Sequence, residues 1–395
     1  MTRERKNVIL LAVCQALFMT SQTSMIIVAG LVGYGLLGAE KALATLPVSA
    51  AVIGVAVATI PASLLMKRIG RRTGFIIGNL IGVVGGLLAA YAINISAFPL
   101  FVGATFIIGC SVGFSHYYRF AAADAASPAF RSRAISLVVA GGVVSAFVSP
   151  SLVRYTTDLT PVTFMGTYLA VVGITLATAV LLLFLDIPPP TEEEAREPGR
   201  PLSEIARQPA FIVAILAGMI SYGVMNLVMT ATPLAMIACG FDVHDAAQVI
   251  QWHVVGMFAP AFFTGALIHR FGVLNIMLIG TVLLLGCTVA ALLGIAFTNF
   301  VFALTALGLG WNFTFIGATT LLTQTYQPAE KAKAQATHDF LVFGTNATAS
   351  LSSGALLHFM SWNAVHIVAF PMVLIATLAV AWLALRRRSE AAAGA

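Results

Sequence analysis

Met225 and Met229, in "MNLVM", are four residues apart, and so are His253 and Met257, in "HVVGM". On an α-helix that spacing stacks side chains on one face, so each pair offers two donor groups at successive turns. Three thioethers and one imidazole form a soft ligand set. Methionine sulfur favours copper(I), whereas magnesium, calcium and manganese prefer oxygen, and a neutral imidazole binds through either ring nitrogen. Both pairs sit in long apolar runs, where an ionisable ring is costly and calls for a partner. Plainer roles compete with metal binding. Methionine fills gaps in apolar cores, and His253 could hydrogen-bond a carbonyl or Asn226.

The elements that must position these residues are membrane spans. The 395-residue chain is 59% hydrophobic and only 9% charged, against about 25% charged in a soluble domain. A spanning helix needs about 20 mostly apolar residues. That rule gives twelve segments, near 8–31, 43–66, 73–93, 97–121, 133–154, 163–185, 209–236, 246–268, 274–294, 299–322, 334–357 and 363–385. The expected fold is therefore an all-α membrane protein with twelve transmembrane helices in two pseudo-symmetric six-helix halves, 1–185 and 209–386. A hydrophilic linker, 186–208, joins them and a tail, 387–395, follows. The first apolar run is too long for the core of a signal peptide and reads as a retained helix. Counted inward from Met236 and Ala246 at ~1.5 Å per residue, Met229 and His253 lie ~10 Å deep and Met225 and Met257 ~16 Å deep. The two pairs are thus expected to face each other near the midplane.

Arginine and lysine set the orientation. Arg3, Arg5, Lys6, Lys67, Arg68, Arg71, Arg72, Arg131, Arg133, Arg196, Arg200, Arg207, Arg270, Lys331, Lys333 and Arg386 to Arg388 fall on one side, and Lys41 and Arg154 on the other. Both termini and the linker are expected to be cytoplasmic. The net charge of +6 is then a topology signal and not a nucleic-acid footprint. The halves repeat: "LLMKRIGRR" corresponds to "ALIHRFGVL", with Gly70 opposite Gly272, and "SPAFRSRA" to "QPAEKAKA", with Pro128 opposite Pro328. Parallel six-span repeats around a central linker are the layout of alternating-access carriers.

The chain at this point resembles the major facilitator superfamily, whose loop between spans two and three reads roughly G-x-x-x-D-R-x-G-R-R. In "SLLMKRIGRR", Arg68, Gly70, Arg71 and Arg72 match this gating loop, while Ser63 and Lys67 replace the glycine and the acid. The second copy, "GALIHRFG", keeps Gly265, Arg270 and Gly272 but has His269 for the acid. Within the superfamily, MxxxM in span seven with HxxxM in span eight resembles the CcoA-like copper importers. That resemblance implies a bacterial inner-membrane carrier that imports copper(I) as substrate and supplies haem–copper oxidase assembly. Met225, Met229, His253 and Met257 would be its metal-binding residues. Some members of that wider family are described as riboflavin transporters.

Secondary sites complete the expectation. Met236 and Cys239, at the outer end of span seven, could collect the ion. His338 and Asp339 in "THDF" could carry a coupling proton or form an inner gate with Arg119 of span four, since intramembrane acids are functional by default. Trp252, Trp311 and Tyr222 could instead stack on a flat organic solute such as riboflavin. A third alternative is a transport-silent copper sensor. No Walker loop, serine elbow or HExxH is present, so no enzyme is expected, and no prosthetic cofactor. The four cysteines form no CxxC pair. Expected partners are the lipid bilayer, the substrate and copper chaperones, not nucleic acid, with the chain a monomer.

Overall fold

The computed structural model describes residues 2–37, 43, 46–188, 199–359 and 361–393. Lys41 and the middle of the linker, residues 189–198 with Arg196, lie outside them. All regular structure among the described residues is helical. The order is α1 (Arg3–Leu36), α2 (Leu46–Ile69), α3 (Arg71–Asn94), α4 (Phe98–Ser115), α5 (Tyr118–Ala125), α6 (Arg131–Ala140), α7 (Val143–Thr156), α8 (Met165–Leu182), α9 (Leu202–Ile205), α10 (Pro209–Ala238), α11 (Val243–Phe258), α12 (Ala261–Phe271), α13 (Val273–Leu292), α14 (Phe297–Leu322), α15 (Lys331–Phe359) and α16 (Trp362–Ala393). Ten helices are long and apolar enough to cross a membrane. A bent pair, α11 and α12, makes an eleventh span with a 42° break. α15 fills the remaining place of twelve. The break falls at Pro260, which lacks the N–H that would continue the helical ladder.

The chain folds into two compact units. Unit one is Met1–Ala126 with Gly141–Glu197, and unit two is Ser127–Ala140 with Pro198–Ala395. The division departs from a simple cut at the linker, because the first half of span five, α6, belongs with unit two. Small residues explain this. Ser132 Oγ donates to the Gly265 carbonyl at 3.0 Å, Ser136 Oγ donates to the Ala261 carbonyl, and Gly265 N donates to Ser136 Oγ at 2.9 Å. A Cβ on Gly265 would lie 2.5 Å from Arg133 Cα, so α6 and α12 cross with backbones almost touching, as small residues permit in membranes.

In unit one, α2 packs mainly on α4, and α3 on α4 and α8. The four-residue glycine repeat of α3 forms that seam, with Gly78 against Phe114, Gly82 against Ser111 and Gly86 against Val172. The N-terminus is fastened to the end of span six, where Arg3 pairs with Asp186 at 2.6 Å. Asn7 exchanges two hydrogen bonds with the Asp186 backbone.

Each unit turns between its second and third spans on one glycine. Gly70 has φ 84° and ψ 162°, and Gly272 has φ 86° and ψ 148°. That region is open almost only to glycine. It explains why both sequence repeats keep this residue while their charges differ.

Candidate functional site

Four helices of unit two bring aromatic rings to one level. Trp311 and Phe315, one turn apart on α14, stack at 5.0 Å between centroids and 14° between planes. Tyr222 of α10 meets Trp311 and Phe315 edge-on at 5.5 and 5.2 Å. Phe343 of α15 approaches Tyr222 at 5.5 Å, and Phe258 of α11 approaches Trp311 at 5.9 Å. Trp311 is 3% exposed and its indole N–H has no partner among the described residues. A buried indole normally finds an acceptor, so this donor is available to a bound molecule.

One turn along the same helices the lining becomes polar. Asn226 lies four residues after Tyr222 and donates to the Asn346 carbonyl at 3.1 Å. Asn346 lies three after Phe343, and its own Oδ1 is buried without a partner. A flat apolar wall followed by amide groups suits a ligand that is aromatic at one end and hydroxylated at the other.

The sequence-predicted ligands are placed differently from the expectation. His253 is fully buried and its Nδ1 meets the Leu304 carbonyl of α14 at 2.9 Å. It is therefore turned to span ten, where the sequence suggested span seven. The face carrying His253 and Met257 is a packing seam: a Cβ on Gly308 would lie 2.3 Å from the His253 carbonyl and 2.8 Å from Met257 N. Met225 is buried and Met229 half-buried on α10. Among the described residues no three His, Cys, Asp or Glu side chains gather as a metal cluster. Met236 is buried while Cys239 is exposed, so the two do not present a common entry surface. Trp252 is half-exposed on α11 and is not among the clustered rings.

His338 and Asp339 do come together, with Nδ1 and Oδ1 2.8 Å apart and both side chains fully buried. Gly218 of α10 makes room for them, since a Cβ there would lie 2.8 Å from His338 Nε2. Arg119 belongs to unit one, where it donates to the His116 carbonyl at 2.6 Å and lies over the Phe120 ring. In the gating loop, Arg71 is buried and donates to one oxygen of Asp124 from Nε and Nη2, at 3.1 and 3.0 Å. Asp124 thus supplies the acid that Lys67 displaced from the loop. Sequence reasoning passed over Asn312, which joins α14 to the break in span eight. Its Nδ2 donates to the Met257 carbonyl and its Oδ1 accepts from Thr264, both at 2.6 Å. An amide inside an apolar run, next to Trp311, was the available signal.

Twelve spans in two units, with a cluster of aromatic rings on spans seven, eight, ten and eleven, are the layout of a membrane carrier. The Major Facilitator Superfamily model matches residues 11–298 and again 216–394, and the chain belongs to that superfamily. It is 43% identical over 375 residues to the riboflavin transporter RfnT of Brucella anthropi, covering 94% of each chain. It is 30% identical over 374 residues to the uncharacterized MFS-type transporter YdeG of Bacillus subtilis, covering 90% of this chain and 86% of that one. The transporter FucP in its outward conformation superposes with a TM-score of 0.79 at 17% identity, over 96% of this chain and 99% of the other. The human organic anion transporter MFSD10 gives 0.78 at 14%, over 96% and 100%. At these identities the two structures speak to fold alone.

Proposed function

We propose that the protein is a secondary transporter of riboflavin or a closely similar flat, hydroxylated aromatic solute. The observation that carries this reading is the 43% identity to a riboflavin transporter along nearly the whole chain. The five-ring cluster supports it. An isoalloxazine-type ring system would lie on Trp311 and Phe315, with Tyr222, Phe258 and Phe343 bounding its edges. Its polyol chain would reach Asn226 and Asn346. His338 and Asp339, beside Gly218 on the same helix pair, would carry a coupling proton. Transport needs no chemical change in the solute and no prosthetic group. The bacterial relatives favour a bacterial inner membrane, the arginine and lysine distribution favours cytoplasmic termini, and a monomer suffices for the site.

The test is uptake of labelled riboflavin by a riboflavin auxotroph expressing the chain. Trp311→Ala or Tyr222→Ala is expected to weaken uptake about tenfold, since aromatic pairs contribute about 0.5–1.5 kcal/mol beyond area burial. Met225→Ile with Met229→Ile should leave it unchanged. Unaltered uptake by the Trp311 and Tyr222 variants at normal protein level would remove this site.

A copper(I) reading retains one observation. His253 has its Nδ1 committed to a carbonyl and its Nε2 buried without a partner, which is how a metal-binding histidine is commonly held. Copper accumulation abolished by the paired methionine substitutions, with no riboflavin uptake, would favour it.

A further inference from the structure

A cavity of about 630 Å³ opens at one end of unit two, lined by the beginnings of α6 and α13, the ends of α12 and α14, and α16. Arg131, His269, Arg387 and Arg388 are its basic residues, and Asn275 and Gln324 its amides. Among the described residues no carboxylate lines it. Arg387 donates to Gln324 Oε1 at 3.3 Å and Arg388 to Asn275 Oδ1 at 3.1 Å, so the lining's own amides hold two guanidinium groups in place. Three arginines around a cavity without an acid call for an anion.

The surroundings indicate which anion. α13 packs against α16, and each carries an exposed apolar stripe that ends at the cavity. On α13 the stripe is Ile279 and Val282, one and two turns beyond Asn275. On α16 it is Leu378, Trp382 and Leu385, one turn short of Arg388. Side chains three and four apart share a helix face, so the apolar stripes run directly into the cationic cavity. A free phosphate would have no use for them, whereas a phospholipid would lay its chains there. The arginine distribution assigns this end to the cytoplasmic leaflet, which is rich in anionic lipid.

We propose that this cavity seats the headgroup of an anionic phospholipid, with its phosphate on Arg131, Arg387 and Arg388 and its chains along α13 and α16. The full chain is placed in phosphatidylcholine nanodiscs containing a minor fraction of phosphatidylglycerol, and retained lipid is counted by native mass spectrometry. One phosphatidylglycerol per chain is expected. Arg387→Gln with Arg388→Gln should weaken retention by about thirtyfold, about fivefold for each arginine near a charged surface. Arg386→Gln, outside the cavity and paired with Glu390, should leave it intact. Equal loss in Arg386→Gln would reduce the site to a generic basic tail and overturn the proposal. So would displacement of the lipid by excess inorganic phosphate. The wild-type chain provides an independent measurement, the fluorescence component lost in Trp382→Phe. Brominated phosphatidylglycerol should quench it more strongly than brominated phosphatidylcholine, and equal quenching would overturn the assignment.

Discussion

The two units treat the same corner in opposite ways. In unit one, the turn between α2 and α3 is closed by Arg71 on Asp124, a pair with side chains only 7% and 13% exposed. In unit two, the turn between α12 and α13 has the same glycine backbone, but Val273 follows Gly272 where Arg71 follows Gly70. Aligning Pro128 with Pro328 puts Gln324 opposite Asp124. With neither charge present the corner stays open, and arginines from α6 and α16 line it. The backbone of the repeat is common to both units, while the side chains give one a lock and the other a binding cavity.

Breaking the lock should have the largest effect. Asp124→Ala takes the carboxylate from a buried guanidinium and is expected to cost about 3–5 kcal/mol, read as a lower melting temperature in detergent.

The ion pair that fastens the linker to unit two should follow. Glu330 is fully buried and accepts from Arg200 N, Nε and Nη2 and from Gln327 N, at 2.7–2.9 Å. These bonds, led by those from the Arg200 side chain, hold its carboxyl at about 2, below the ordinary 4.5. The unfolded chain therefore binds the proton first. The contribution is complete above pH 4.5 and is lost as pH falls toward 2. Amide protection across residues 199–208, measured against the intrinsic exchange rate at each pH, should fall over that window, and Glu330→Gln should make it low at pH 7 and insensitive to acid.

Gly70→Ala and Gly272→Ala should each cost about 1–3 kcal/mol from backbone strain, and by similar amounts. At Gly272 a Cβ would meet nothing within 4 Å, so strain alone acts there. A much larger loss at one position would show that the two turns are not equivalent.

The smallest change in stability, about 1 kcal/mol or less, is expected from Val273→Arg with Gln324→Asp, which moves the lock into unit two. Its informative readout is the bound lipid, which should be lost as the corner closes.

Much of this fold was legible in the sequence. Apolar length marks the spans, and Gly70 and Gly272 mark the turns because few other residues adopt their backbone. Tyr222 and Trp311 were recognisable as stacking residues. Their meeting with Phe258, Phe315 and Phe343 was not, because helical spacing reports neighbours on one helix and not which helix lies opposite. The same limit misdirected His253. Its face could be drawn, and its depth counted, but only the packing of Gly308 against the α11 backbone shows that the face meets span ten. The cationic cavity was the least legible feature, since its lining comes from five helices and no two of its basic clusters are adjacent in sequence.

The single-glycine turns have a consequence for biogenesis. A ribosome that has completed α2 has no loop to extrude before α3 begins, and the same holds for α12 and α13. Neither second helix can wait in water while its predecessor settles in the bilayer. Spans two and three, and spans eight and nine, should therefore enter the membrane as hairpins. Spans four and five and spans five and six, joined by several residues each, carry no such constraint.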